Sequence, residues 1–198
     1  MPKYVRAAIV GAIVGAVVAF FFAFLDAAAG KPGSWDATLF GLLAAFFTTF
    51  IMANLAGNRA ARSASSGEKD QALNAQPPSG KALLYLYREG FVAKLVGLNV
   101  SVDGREVAQL KSPRFTCVTV APGTHTVAAA FGGAVGPQSR SAELTVDTPP
   151  GSVIALRMTM RMGALKGSVD IAQQADLHSV KRALSGMPMV QPDLAEVV

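Results

Sequence analysis

The sequence predicts two transmembrane α-helices arranged as a hairpin, followed by an all-β antiparallel sandwich of about seven or eight strands with a short C-terminal helix. Three observations carry this expectation. Residues 7–25 and 37–55 each run nineteen positions without a charge. The chain is 51% hydrophobic and only 16% charged, against ~25% charged residues in an ordinary soluble domain. Beyond residue 81 the pattern changes to short apolar segments separated by Gly, Pro and Asp, the punctuation of strands and turns.

Each uncharged stretch would extend about 28 Å as a helix, close to the ~30 Å hydrocarbon thickness of a bilayer. Neither has the polar face of a soluble core helix. Tyr4 and Trp35 lie just outside the first and second stretches, where interfacial aromatics belong. The first stretch has an alternative reading as a cleaved signal peptide, with Lys3 and Arg6 as its basic region and Ala27-Ala28-Ala29 at the cleavage site. Its apolar run is longer than the usual 7–15 residues, and a second span follows. Gly11 and Gly15 form GxxxG, and Ala8, Ala12 and Ala16 repeat the same spacing. Such a ridge lets helix backbones approach closely in lipid. It packs either on the second helix of the hairpin or on another copy, giving a homo-oligomer. Thr48, Thr49 and Asn54 are candidates for hydrogen bonds across the helix pair. Asp26, Lys31 and Asp36 are placed in the short connecting loop, and an acid at a span boundary does not mark an ion path.

The hairpin occupies residues 1–56. Residues 57–81, rich in Gly, Ser, Asn and Gln with two prolines, read as a flexible linker. Arg59 and Arg62 follow the second span as phosphate-facing anchors would. The β domain covers 82–174, with strands at 82–88, 99–102, 105–110, 115–120, 124–131, 142–147, 152–161 and an edge strand at 166–173. Asp103-Gly104 is the strongest hairpin signal. Ala121-Pro122-Gly123 and Thr148-Pro149-Pro150-Gly151 mark two further turns. Asp176 caps a short helix in 175–186 that stops at Gly186, and 187–198 is a poorly ordered tail.

Tyr85-Leu86-Tyr87-Arg88, Val100-Ser101-Val102-Asp103-Gly104 and Pro122-Gly123-Thr124-His125 ahead of a small-residue strand resemble a bacterial lipoprotein domain of unknown function. The segment is also similar to PEGA-like and transthyretin-like sandwich modules. The resemblance covers about residues 82–160 and rests on turn chemistry and strand pattern. It implies an envelope-associated, non-catalytic β module, although a helical hairpin stands here where that domain carries a lipid anchor.

A single cysteine, Cys117, excludes an intrachain disulfide framework and a multi-Cys zinc site. Cys117 and His125 are the one pair that suggests a nucleophile and base. A hairpin through residues 121–123 would hold them roughly 10 Å apart, too far for a hydrogen bond. His178 stands alone on a polar helix, and neither HExxH nor CxxC is present. Gly132-Gly133-Ala134-Val135-Gly136 and Ser79-Gly80-Lys81 read as turn and linker, and Asn99-Val100-Ser101 matches a glycosylation acceptor inside a strand. Catalytic, cofactor and metal residues are therefore expected to be none. Phe91, Val92, Leu95 and Val96 around Lys94 either fill one sandwich edge or form an exposed patch for lipid or a partner. The net charge of +5 is spread along the chain, without the basic stripe of a nucleic-acid binder.

The expected role is a membrane-anchored, non-enzymatic module that binds or scaffolds an envelope or membrane-associated partner. The alternative is an oligomeric hairpin acting as a pore or transporter accessory subunit. Lys3, Arg6, Arg59, Arg62 and Lys69 flank the two spans on one side and Lys31 alone on the other. That bias predicts a bacterial inner membrane protein with both termini and the β domain in the cytoplasm. The resemblance favours a periplasmic domain instead.

Overall fold

In the computed structural model, which describes residues 3–31, 33, 35–132, 139–162 and 167–197, the chain divides into two compact units, residues 1–57 and 58–198.

The first unit is a pair of helices, α1 (Lys3–Ala28) and α2 (Asp36–Leu55). Both are long and apolar enough to cross a membrane. Their outward faces carry exposed Phe20, Phe21, Phe24, Leu42 and Phe46, and almost all of the burial lies along the seam between them. Asp26 and Asp36 were expected in the connecting loop. They fall instead in the last turn of α1 and the first turn of α2.

The second unit contains two sheets, built from ten strands among the described residues. One sheet has four strands in the order β3 (Arg105–Leu110), β2 (Leu98–Val102), β5 (Gly123–Phe131), β7 (Ala142–Thr148). The other has six, in the order β10 (Glu196–Val197), β4 (Arg114–Val120), β1 (Ala82–Arg88), β8 (Val153–Arg161), β9 (Gly167–Gln174), β6 (Ser139–Arg140). Alternation explains which residues are inside. Leu98, Val100 and Val102 of β2 and Val127, Ala129 and Phe131 of β5 share one apolar cluster with Leu84, Leu86, Val118 and Leu156 of the larger sheet. Strand β1 is buried at every position because it has cover on both faces. Its other face, with Tyr85 and Tyr87, meets Leu73, Val180, Leu184 and Met189. Those residues come from α3 (Ser66–Asn74), α4 (Leu177–Ser185) and the C-terminal segment.

Four expectations are corrected. The turn at residues 121–123 does not close a hairpin, since it carries the chain from β4 in one sheet to β5 in the other; residues 149–151 do the same between β7 and β8. Turn chemistry reports a chain reversal and not the partner the returning strand takes. The larger sheet is mixed and not antiparallel, because β1 runs parallel to β8. Residues 57–81 are not a free linker. Asn58 already hydrogen-bonds into the unit, and Ser65 with Glu68 forms a capping box that starts α3. The tail is not loose either. Met189 and Val190 bridge to Phe115 and Ser63, and Val197 pairs with Val120 and is fully buried.

Other local signals hold. Asp103 and Gly104 take φ of 50° and 76°, the double positive φ of the hairpin turn that joins β2 to β3. Asp176 caps α4 by accepting from the backbone N–H of His178 and Ser179. The glycine segment 133–136 and Lys166 lie outside the described residues.

Candidate functional site

The helix seam holds the glycines whose spacing predicts close packing. Gly11 and Gly15 lie in it. A Cβ added at Gly15 would sit 2.6 Å from Ala45 Cβ and 2.7 Å from the Gly41 carbonyl oxygen, and one at Gly11 would overlap Thr49 Oγ1. Reciprocally, a Cβ at Gly41 would meet Ala19 Cβ at 2.6 Å. Backbones this close admit only small residues. Ala8, Ala12 and Ala16 are placed differently: they are exposed, one position round the helix from Ala7, Gly11 and Gly15. With Leu42, Ala45 and Thr49 they line open grooves beside the seam. Phe22 stacks on Phe40 with ring centroids 4.5 Å apart. Asn54 is buried and its Oδ1 has no hydrogen-bond partner among the described residues.

The Cys117–His125 pair does not come together. Cys117 sits on β4 opposite Tyr85, beside Phe115 in the cluster under α4, whereas His125 lies on β5 in the other sheet. Burial pushes the Cys117 thiol up to about 12, with Lys181 pulling weakly the other way, so the sulfur stays protonated and a poor nucleophile. His125 is buried, and both ring nitrogens face acceptors: Nδ1 lies 2.6 Å from Asp103 Oδ2 and Nε2 lies 2.8 Å from the Ala121 carbonyl. Asp103 also accepts from Thr126 N–H at 2.8 Å. The imidazolium, which donates from both nitrogens, satisfies this arrangement. Burial pulls the His125 pKa down, but the bonds to Asp103 and the Ala121 carbonyl outweigh it and the net shift is upward. Burial opposes ionisation of Asp103 as well. Hydrogen bonds from His125 and Thr126, with the nearby charges of His125 and Arg105, outweigh it and hold that carboxyl below its usual range.

A pH dependence follows from this pair. A histidine raised in the folded state contributes stability that is full below ~6.5 and is lost as pH rises through the folded value. The Asp103 contribution is present above ~3.9 and is lost as pH falls through its lowered value. Thermal melts of the β unit within the whole chain should therefore weaken as pH rises from ~6.5. His125→Gln should flatten that slope, and an unchanged slope in the variant would show that another group controls it.

The largest buried side chain is one the apolar pattern disguised: Arg88, the last residue of β1, is 1% exposed. No carboxylate meets it among the described residues. Its guanidinium donates instead to four carbonyls: Nη1 to Val96 (2.5 Å) and Leu110 (3.0 Å), Nη2 to Ala93 (2.7 Å) and Val92 (3.4 Å). It also lies over the Phe131 ring at 4.9 Å. Burial lowers its pKa to about 10, so it remains a cation at neutral pH. Residues 89–97 thus fold around a fixed charge, with the carbonyls of Val92, Ala93 and Val96 turned toward it. Gly90 at φ 101° and Ala93 at φ 52° make the bends.

That geometry divides the expected patch. Val96 is buried at 9% and Val92 half-buried, whereas Phe91 and Leu95 are 82% and 63% exposed. Lys94 Nζ sits 5.2 Å from the centre of the Phe91 ring. Asn58 pins the far end of the loop, accepting from Gly97 N–H at 2.6 Å and donating to the Leu95 carbonyl at 2.9 Å. Ser112 fastens the near side through bonds to the carbonyls of Lys94 (3.1 Å) and Gly90 (2.6 Å).

Beside this loop lies a cavity of about 230 Å³, lined by Arg59, Ser63, Gln109, Lys111 and Arg114 among others. Arg59 is not a free lipid anchor, because it pairs with Glu106 and Asp193. The Gln109 amide bridges Arg59 N–H and Asn99 Oδ1, each at 2.6 Å. Among the described residues no three His, Cys, Asp or Glu side chains gather as a metal site. His178 is exposed on α4 beside Arg182, and Asn99-Val100-Ser101 lies within β2.

The two units define a chain of two long apolar helices followed by a two-sheet β unit with a short C-terminal helix. No protein-family model matches it, and no curated protein matches it either.

Proposed function

We propose that the protein is an integral membrane protein of the bacterial inner membrane. In this reading α1 and α2 insert as a hairpin, and the β unit is a PEGA-like sandwich that serves as a non-enzymatic module binding or scaffolding a membrane-associated partner. The observation that carries the proposal is the helix pair itself, whose small-residue seam leaves large apolar side chains facing outward over two membrane-length helices. Water would not tolerate such a surface, and lipid would. The non-enzymatic part is supported by the engagement of both His125 ring nitrogens and by the protonated, separately placed Cys117. The sandwich part is supported by the one apolar cluster that draws on both sheets.

A second reading has its own observation. The exposed stripe of Ala8, Ala12 and Ala16 beside Leu42 and Thr49 suits close packing of another hairpin, as an oligomeric pore or transporter accessory subunit would need. Lysine-directed crosslinking in native membranes separates the two. The module reading expects adducts of the whole chain that residues 1–62 alone do not form, and no dye release from liposomes carrying residues 1–62. Dye release by that hairpin, with identical adducts for both chains, would overturn it.

A further inference from the structure

The β unit has one end where three features adjoin, and the chemistry of that end identifies an occupant. Two apolar side chains, Phe91 and Leu95, stand out from a loop that the buried Arg88 holds in shape. The residues joining β3 to β4 are hydrogen-bonded to that loop through Ser112 and bring Lys111 and Arg114 to the rim of the adjoining cavity. The third feature is Asn58, which grips the same loop and lies three residues beyond the end of α2.

The charges at this end are unequal. Arg59 pairs with both Glu106 and Asp193, which leaves one negative charge over, and Glu89 pairs with Arg157. Against that stand three cations, the half-buried Lys111 and Arg114 of the cavity lining and the exposed Lys94 over the Phe91 ring, none with a carboxylate partner among the described residues. Exposed aromatic and aliphatic tips flanked by cations match the interfacial layer of a bilayer, where apolar side chains enter among acyl chains and cations meet phosphates. Phe91 is also held in place, so little ordering is needed when it inserts.

Building on the membrane reading above, we propose that this end of the β unit docks on an anionic lipid surface, with Lys111, Arg114 and the Ser63 hydroxyl receiving a headgroup phosphate in the cavity and Phe91 and Leu95 entering the bilayer interface. The recognised chemistry is a phosphate monoanion, and the source is the lipid headgroup. Arg59, held by Glu106 and Asp193, contributes the wall of the site.

The test uses the whole chain reconstituted in vesicles. Trp35 is the only tryptophan, so a Trp35→Phe, Phe91→Trp variant reports from position 91 alone. In phosphatidylcholine vesicles containing phosphatidylglycerol, its emission should shift to the blue and be quenched by brominated acyl chains. Phosphatidylcholine alone should give weaker quenching, and adding Lys111→Gln with Arg114→Gln should remove most of it. Millimolar inorganic phosphate should leave the signal in place. Solvent-like, unquenched emission in both vesicles would overturn the proposal. Equal quenching in both, indifferent to the double substitution, would overturn the phosphate site. Release by inorganic phosphate would overturn the lipid as its source. Quenching of Trp35 in the unaltered chain reports separately on the hairpin: if it too is absent, the membrane reading fails and this proposal with it.

Discussion

Arg88→Met is expected to lower the melting temperature of the β unit by roughly 10–15 °C, the effect of about 4 kcal/mol in a unit of this size. The size follows from what the substitution strands. Four backbone carbonyls converge on the guanidinium, two from within 3 Å on Nη1 and two on Nη2, and methionine answers none of them. An unsatisfied buried acceptor costs about 1–3 kcal/mol, and this site is sealed from water by Phe131 and the loop itself. Arg88→Lys should recover only part of the loss, because one ammonium cannot reach carbonyls on both sides of a planar fork. Circular dichroism melts of the two variants measure the effect, and hydrogen exchange of residues 89–97 locates it. A melting point within about 2 °C of the parent would mean that the loop does not depend on Arg88.

Gly15→Leu is expected to have the largest effect in the helical unit. Even a methyl group at that position sits 2.6 Å from Ala45 Cβ and 2.7 Å from the Gly41 oxygen, so a leucine must drive the helices apart. Overpacking of this kind costs about 1–3 kcal/mol, and in lipid no hydrophobic force pulls separated helices back. Spin labels at exposed Val5 and Ile51, in a Cys117→Ser background, report the separation. A longer and broader distance distribution is expected for Gly15→Leu, with a smaller change for Gly15→Ala. Ala12→Leu, on the exposed side of α1, should leave the distribution unchanged. Identical distributions for all three would show that the glycines do not set the approach.

The parts of this molecule that were legible in the sequence are those decided locally. Asp103-Gly104 needs only two residues with positive φ to make a hairpin, and Asp176 needs only two nearby N–H groups to start α4. Two nineteen-residue apolar runs needed only length. What escaped was decided by distant partners. Nothing local says that β1 will take β8 as a parallel neighbour or that the chain leaving β4 will change sheets. Residues 187–198 look unstructured in isolation and become ordered by pairing with β4 and with Ser63. The capping box at Ser65 and Glu68 is a readable start signal for α3, set in a segment whose polarity otherwise reads as a tether.

The candidate site divides in the same way. The sequence left Phe91 and Leu95 either filling a sandwich edge or exposed, and a charge at the end of an apolar strand did not announce that Arg88 would be the residue shaping their loop. Lys111 and Arg114 carry no local mark, because the cavity they rim is assembled from two segments far apart in sequence, 59–63 and 109–114.

The central proposal is a hairpin that puts both of its ends, and the β unit beyond it, on the cytoplasmic side of the membrane. Paired fusions after Val198 test it most directly: a fluorescent protein that matures in the cytoplasm, and a phosphatase that requires periplasmic disulfides. With five basic residues flanking the spans on one side and Lys31 alone on the other, the bias predicts a bright fluorescent fusion in the membrane fraction and an inactive phosphatase. An active phosphatase with a dark fluorescent fusion would contradict it and place the β unit in the periplasm.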